Sequence, residues 1–127
     1  MVFALPDAPV LVTVNKTRID QIFVNLVLNA AEAIGSSTGT IELAVRLDPE
    51  RRRVVLEVRD TGPGIAADVL SRIFEPFFTT KGADNGTGLG LPVVREIVES
   101  YGGTLTASST LGAGTTFRFD LPMSSGR

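Results

Sequence analysis

Residues 40–60 read TIELAVRLDPERRRVVLEVRD, and the way this stretch turns back on itself decides the architecture. Large apolar side chains fall at Ile41, Leu43, Val45 and Leu47 and again at Val54, Leu56 and Val58, the period of two of a strand buried on one face. Asp48, Pro49 and Glu50 stand between the two runs. Proline fixes φ for a turn position, so the economical reading is an antiparallel hairpin. The basic run Arg51-Arg52-Arg53 follows that turn, where solvated charge is the ordinary reading.

Toward the N-terminus, Ile19, Ile22, Phe23, Leu26, Val27, Ala30, Ala33 and Ile34 recur at helical spacing and mark one broad core face. That helix is expected to begin near Asn15-Lys-Thr17 and to end at Gly35-Ser-Ser-Thr-Gly39. Val10-Leu-Val-Thr-Val14 ahead of it has strand composition. Toward the C-terminus the periodicity fades between Asp60 and Leu91, apart from a short helical candidate at Ala67-Asp-Val-Leu-Ser-Arg-Ile73, and a long loop of that kind is usually functional or disordered. Leu91, Val94, Ile97, Val98 and Tyr101 then mark a second amphipathic helix, with Pro92 tolerable in its first turn and Gly102-Gly103 as its stop. Thr104-Leu-Thr-Ala-Ser108 and Thr115-Thr-Phe-Arg-Phe-Asp-Leu121 alternate as strands around Leu111-Gly-Ala-Gly114, a closing hairpin. Helices packed on one face of a largely antiparallel sheet make an α+β two-layer domain. Residues 10–122 form the expected domain, with residues 1–9 as a connection and residues 123–127 as a loose tail.

The 127 residues, 43% hydrophobic and 20% charged, suit one globular domain with a real core. A formal net charge of −2 offers no electrostatic footprint for nucleic acid. The absence of cysteine excludes disulfides, thiolate zinc sites and thiol catalysis. No apolar run approaches bilayer length, so direct membrane insertion is not expected and a cytoplasmic setting is, although a longer parent is free to be membrane-anchored. Histidine is absent too, which removes the commonest general base and phospho-acceptor.

Three clusters carry chemistry. Gly82, Gly86, Gly88 and Gly90 precede the second amphipathic helix, and successive backbone N–H groups ahead of a helix N-terminus form a concave site for phosphates. The loop is not a P-loop, since no glycine is followed by Lys-Ser/Thr, and it lacks G-x-G-x-x-G spacing. Asp60-Thr-Gly62-Pro-Gly64-Ile65 begins where the second strand of the hairpin stops. A carboxylate there accepts from the exocyclic amine of adenine and repels the carbonyl of guanine, while the glycines let a planar ring lie against the backbone; the competing reading is an Asx-turn. Asn25, Asn29 and Glu32 lie along one side of the first helix. Their oxygens suit a hard cation such as Mg²⁺, against the competing reading of a solvated face, which fits two asparagines inside a Leu-rich helix less well.

Taken in order, Asn25-Leu-Val-Leu-Asn29-Ala-Ala-Glu-Ala33, Asp60-Thr-Gly62-Pro-Gly64, Phe74-Glu-Pro-Phe-Phe-Thr-Thr-Lys81, Gly86-Thr-Gly88-Leu-Gly90-Leu91 and Gly112-Ala-Gly114-Thr115 resemble the N, G1, F, G2 and G3 boxes of the ATP-binding catalytic domain of bacterial sensor histidine kinases. The resemblance runs from about Val10 to Pro122. It implies the Bergerat fold shared with gyrase, the heat-shock chaperone ATPases and MutL: helices over one face of a mixed, mostly antiparallel sheet, with ATP under a mobile lid. On that resemblance Asn29 is the expected Mg²⁺ ligand, Asn25 a second, and Glu32 is placed at the metal's water shell or the phosphates. Asp60 would hold the adenine amine, Gly62, Gly64 and Ile65 would shape the pocket, and Thr115 would support the base. Gly86, Gly88, Leu89, Gly90 and Leu91 would cradle phosphate, with Lys81 reaching it from the lid. Phe74, Phe77 and Phe78 read chiefly as lid packing, with docking on phosphoacceptor helices as a second role.

The family's full enzymes carry a helical dimerisation domain bearing the phosphorylated histidine. This chain has no histidine, so the resemblance implies a catalytic domain whose acceptor belongs to another segment or chain, and whose phosphate passes on to a response regulator. In the ATPase relatives a glutamate one turn before the metal-binding asparagine activates water. Asn25 stands there and has no useful basicity, so slow hydrolysis is expected. A serine protein kinase of the same fold and a nucleotide-binding module without transfer activity are the alternatives.

Overall fold

The computed structural model describes residues 2–4, 9–36, 38–75 and 90–123. Strands β1 (Val2–Ala4) and β2 (Pro9–Leu11) pair antiparallel as a separate two-stranded ribbon. Helix α1 spans Lys16–Ile34. Strands β3 (Ile41–Asp48) and β4 (Arg53–Asp60) form the hairpin, followed by the short α2 (Ala67–Leu70), α3 (Gly90–Ser100), β5 (Leu105–Thr110) and β6 (Gly114–Pro122). The main sheet has the order β3-β4-β6-β5, and all three of its pairings are antiparallel.

Local chemistry explains the boundaries. Asn15 caps α1, its side chain accepting the Arg18 N–H at 3.1 Å, and Gly35 closes the helix at φ 64°. At the end of α3, Gly102 adopts φ 80° while the Gly103 N–H reaches back to the Val98 carbonyl at 3.0 Å. In the β3–β4 turn the Asp48 carboxylate accepts the Arg51 N–H at 3.3 Å, the aspartate turn chemistry visible in the sequence.

The core lies between the helices and one face of the sheet. Ile19, Ile22, Leu26 and Ala30 of α1 and Val94, Ile97 and Val98 of α3 bury against Val54, Leu56, Val58, Phe117, Phe119 and Leu121. The Phe23 and Phe119 rings meet edge to face, with centroids 5.7 Å apart. The ends of the helices are tied where the Tyr101 hydroxyl accepts the Asn15 N–H at 2.8 Å.

Some expectations shift. The expected strand at residues 10–14 forms a ladder only as far as Leu11, although Val12 is buried in the core. The four alternating apolar residues of β3 are not equally covered: Ile41 and Val45 are half-buried, whereas Leu43 and Leu47 are exposed. β3 is the edge of the sheet, and α1 lies chiefly over its neighbour β4, so the apolar row of β3 is only partly covered. Arg53 is half-buried rather than freely solvated; its guanidinium donates to the Gly102 carbonyl at 2.6 Å and faces Asp120. Met123 packs against the core and donates its N–H to the Arg52 carbonyl at 2.9 Å, so the chain is still anchored there.

The other face of the sheet carries an ionic cluster. Glu57, 7% exposed, sits among the guanidinium groups of Arg46, Arg59 and Arg118, each 3.3 Å away. Burial pushes its carboxyl up, but Arg118, then Arg46 and Arg59, outweigh that and hold it below the usual carboxylate range. Val55, directly opposite Arg46 in the β3–β4 ladder and on the same face as Glu57, is buried as well.

Candidate functional site

The sheet register assembles the first wall of the site. Asp60 is the last residue of β4; across the ladders it stands opposite Ile41 on one side and Thr115 on the other, and Thr115 in turn stands opposite Ser109. Directly opposed residues share a face, so all four lie on the helix side at one end of the sheet. Asp60 is 3% exposed and Thr115 4%, unusual burial for a carboxylate and a hydroxyl at a strand end.

The Asx-turn reading of Asp60 is realised: its Oδ1 accepts the Gly62 N–H at 2.8 Å. It does not displace the other reading, because the same carboxylate is buried at the end of the sheet rather than facing solvent. The loop after it is laced to the β5–β6 turn, where the Gly112 N–H donates to the Pro63 carbonyl at 2.8 Å. Gly64 has φ +80°, and a Cβ there would overlap the Thr110 carbonyl. Gly114 has φ +120°, and a Cβ there would overlap the Asp60 carbonyl. A Cβ on Gly62 would meet Asp60 Oδ1 at 3.0 Å and the Ala33 Cβ of α1 at 3.2 Å. The space these glycines leave is therefore filled by the protein's own strands and helix.

Ser109 ties these pieces together and was not singled out by the sequence. Its Oγ lies 2.7 Å from the Ile65 N, 2.8 Å from the Gly114 O and 2.9 Å from the Thr115 Oγ1. The available signal was slight: Leu105, Ala107 and Ser109 share the inward face of β5, which places a hydroxyl at an inward position just before the glycine turn.

The second wall is α1. Asn25 and Asn29 are half-buried and Glu32 is exposed, all on the flank that the helical spacing indicated. The Asn25 Nδ2 donates to the Gln21 carbonyl at 2.8 Å, which turns its Oδ1 outward from the helix. That oxygen lies 3.2 Å from where a Cβ on Gly90 would stand, so it faces the first residue of α3. Gly90 and Leu91 thus bring the start of α3 to the asparagine side of α1, and a helix N-terminus favours an anion. Among the described residues no group of three or more His, Cys, Asp or Glu gathers. A cation here would take amide and carboxylate oxygens from α1, a donor set that fits Mg²⁺ only when a ligand completes the shell.

Phe74 is half-buried against the core, and the Arg95 guanidinium of α3 lies 5.8 Å from its ring centroid. Phe77, Phe78, Lys81, Gly82, Gly86, Gly88 and Leu89 lie outside the described residues. Among the described residues no helix is long and apolar enough to cross a membrane.

Residues 14–125 match the family model described as histidine kinase-, DNA gyrase B-, and HSP90-like ATPase. The sensor kinase CckA of Brucella abortus (strain 2308) is 44% identical over 117 residues, covering 83% of this chain and 12% of that protein. The sensor protein FixL of Bradyrhizobium diazoefficiens is 42% identical over 121 residues, covering 94% of this chain and 23% of that protein. The chain therefore spans less than a quarter of the length of these curated relatives. Among solved structures, the nucleotide-free catalytic domain of histidine kinase ThkA superposes with a TM-score of 0.74 at 38% identity, covering 87% of this chain and 70% of that one. Full-length ShkA in complex with AMPPNP superposes with a TM-score of 0.78 at 33% identity, covering 91% of this chain and 23% of that one. With the open antiparallel sheet and the helices on one face, these likenesses place the chain in the family of histidine kinase-, DNA gyrase B- and HSP90-like ATPases, as an ATP-binding catalytic domain of the sensor histidine kinase type.

Proposed function

We propose that this domain binds Mg²⁺-ATP and donates the γ-phosphate to a histidine on a separate dimerisation and phosphoacceptor domain, from which a response regulator is served. The observation that carries the reading is the buried pair Asp60 and Thr115 at the end of the sheet, facing the helix layer whose α1 flank bears Asn25 and Asn29.

Asp60 accepts from the adenine amine with the oxygen its own turn leaves over, and Thr115 supports the base beside it. Gly62, Gly64 and Ile65 hold the pocket's edge. Asn29 and Asn25 present amide oxygens to the metal, and Glu32 stands one turn further out toward solvent. When bound, Mg²⁺ neutralises phosphate charge, and phosphoryl transfer depends chiefly on such neutralisation and on positioning. Gly90 and Leu91 offer the N–H groups at the start of α3 to the phosphates. From the sequence pattern, Gly86, Gly88 and Leu89 extend that cradle and Lys81 supplies a cation. Asn25 lacks the basicity to activate water, which keeps hydrolysis slow and favours transfer over an ATP-driven clamp. The phosphate acceptor lies outside these residues, since the chain has no histidine.

The test is transfer of γ-³²P from ATP to a supplied phosphoacceptor domain, with Asn29→Ala as control. Acid-labile label on the acceptor that the control loses supports the proposal. Tight ATP binding without transfer would refute it in favour of a nucleotide-binding regulatory module, and acid-stable label on a serine would point to a serine kinase.

A further inference from the structure

We infer that Ser109 sets the donor and acceptor character of the base pocket, and through it the choice between 6-amino and 6-oxo purines. The inference rests on the adenine reading proposed above and deepens it.

A serine hydroxyl has one proton and two lone pairs. Ser109 Oγ has three neighbours, and two of them leave no choice of direction. The Ile65 N–H at 2.7 Å only donates, so it takes one lone pair. The Gly114 carbonyl at 2.8 Å only accepts, so it takes the proton. The Thr115 hydroxyl, 2.9 Å away, is left with one arrangement: it donates to the remaining lone pair. The single proton of Thr115 is consumed inside the protein, and its oxygen keeps only lone pairs for the pocket. Thr115 stands directly opposite Asp60, and both are almost fully buried. Asp60 as a carboxylate only accepts, and one of its oxygens already takes the Gly62 N–H.

The wall made by these two residues is therefore acceptor-only. An amino group, with two N–H donors, satisfies it. A carbonyl oxygen in the same place finds no donor and faces further lone pairs. Buried polar groups left unpaired are the strongest source of discrimination between ligands of similar shape. Ser109 acts through Thr115 and Ile65 and is a positioning residue. Without its hydroxyl the Thr115 proton is free to turn toward the ligand, and the wall then offers a donor to a 6-oxo group.

Calorimetric titration with ATP and with inosine triphosphate, its 6-oxo counterpart, tests this on the chain itself. The wild type binds ATP more tightly. Ser109→Ala narrows the ratio of the two dissociation constants by about five- to tenfold, the worth of one hydrogen bond, while Ser109→Thr restores it. In a Thr115→Val background, where there is no hydroxyl proton to release, Ser109→Ala leaves the ratio unchanged. If circular dichroism shows the alanine chain unfolded, Ser109→Cys, whose thiol is a weak partner in the same place, must narrow the ratio in the same direction. Equal weakening of both nucleotides with the ratio held, or narrowing that persists without the Thr115 hydroxyl, would overturn the inference while leaving the adenine reading intact. A wild type that binds both triphosphates alike would overturn the adenine reading, and the inference with it, before any variant is compared.

Discussion

Asp60→Asn is the sharpest perturbation of the proposed pocket, because it keeps the shape of the side chain and changes one atom. Asp60 is 3% exposed, and its Oδ1 accepts the Gly62 N–H at 2.8 Å. An asparagine keeps that bond by pointing its oxygen at Gly62, which directs its NH₂ into the pocket and replaces the acceptor with a donor. The base amine then loses a hydrogen bond to a charged group, worth about 1.5–3 kcal/mol, or about a 10- to 150-fold weakening of ATP binding. Donor facing donor pushes the loss toward the upper end. Inosine triphosphate should gain affinity, since its carbonyl meets a donor. Calorimetry with both nucleotides measures the two affinities, and thermal unfolding of the same samples checks the fold, which retains the Gly62 bond and should shift by only a few degrees. A folded variant that binds ATP as the wild type does, or weakens for both nucleotides alike, would refute the reasoning.

Stability predictions follow from the rest of the fold. Gly64→Ala and Gly112→Ala both force alanine to a positive φ, near +80°, but only at Gly64 would the new methyl overlap a backbone carbonyl. Gly112→Ala should cost about 1–2 kcal/mol and Gly64→Ala clearly more, and equal values in urea denaturation would contradict the close approach of residue 64 to Thr110. Tyr101→Phe leaves the Asn15 N–H without its partner and should lower stability by about 1 kcal/mol, read from the same denaturation curves. Because the folded state holds the Glu57 carboxyl below its ordinary value, the stabilisation is fully present above the unfolded glutamate pKa and is lost as pH falls through the folded one. Thermal melts from pH 7 down to 3 should therefore fall more steeply in the wild type than in Glu57→Gln, and parallel curves would remove the three-arginine cluster as the cause.

What the sequence determined by itself was what repeats along the chain. The 3.6-residue spacing from Ile19 to Ile34, the alternation in residues 41–47 and 54–58, and the Gly, Pro and Asp punctuation are local, so they specified the helices, the β3–β4 hairpin and the α+β class. The ordered boxes also named Asp60, Thr115, Asn25 and Asn29, because residue type and order survive in one dimension. Only the tertiary structure decided what stands opposite what. That Thr115 lies between Asp60 and Ser109 follows from the register of two ladders, and ladder register joins residues far apart in the chain. That Leu43 and Leu47 stay exposed depends on where α1 lies, since alternation says which face is apolar and not whether anything covers it. The glycines after Asp60 looked like room for a ligand. In the folded chain that room is taken by the Thr110 carbonyl at Gly64 and by α1 at Gly62, and the direction of the Thr115 proton depends on a serine that one partner, Ile65, reaches from a distant part of the chain.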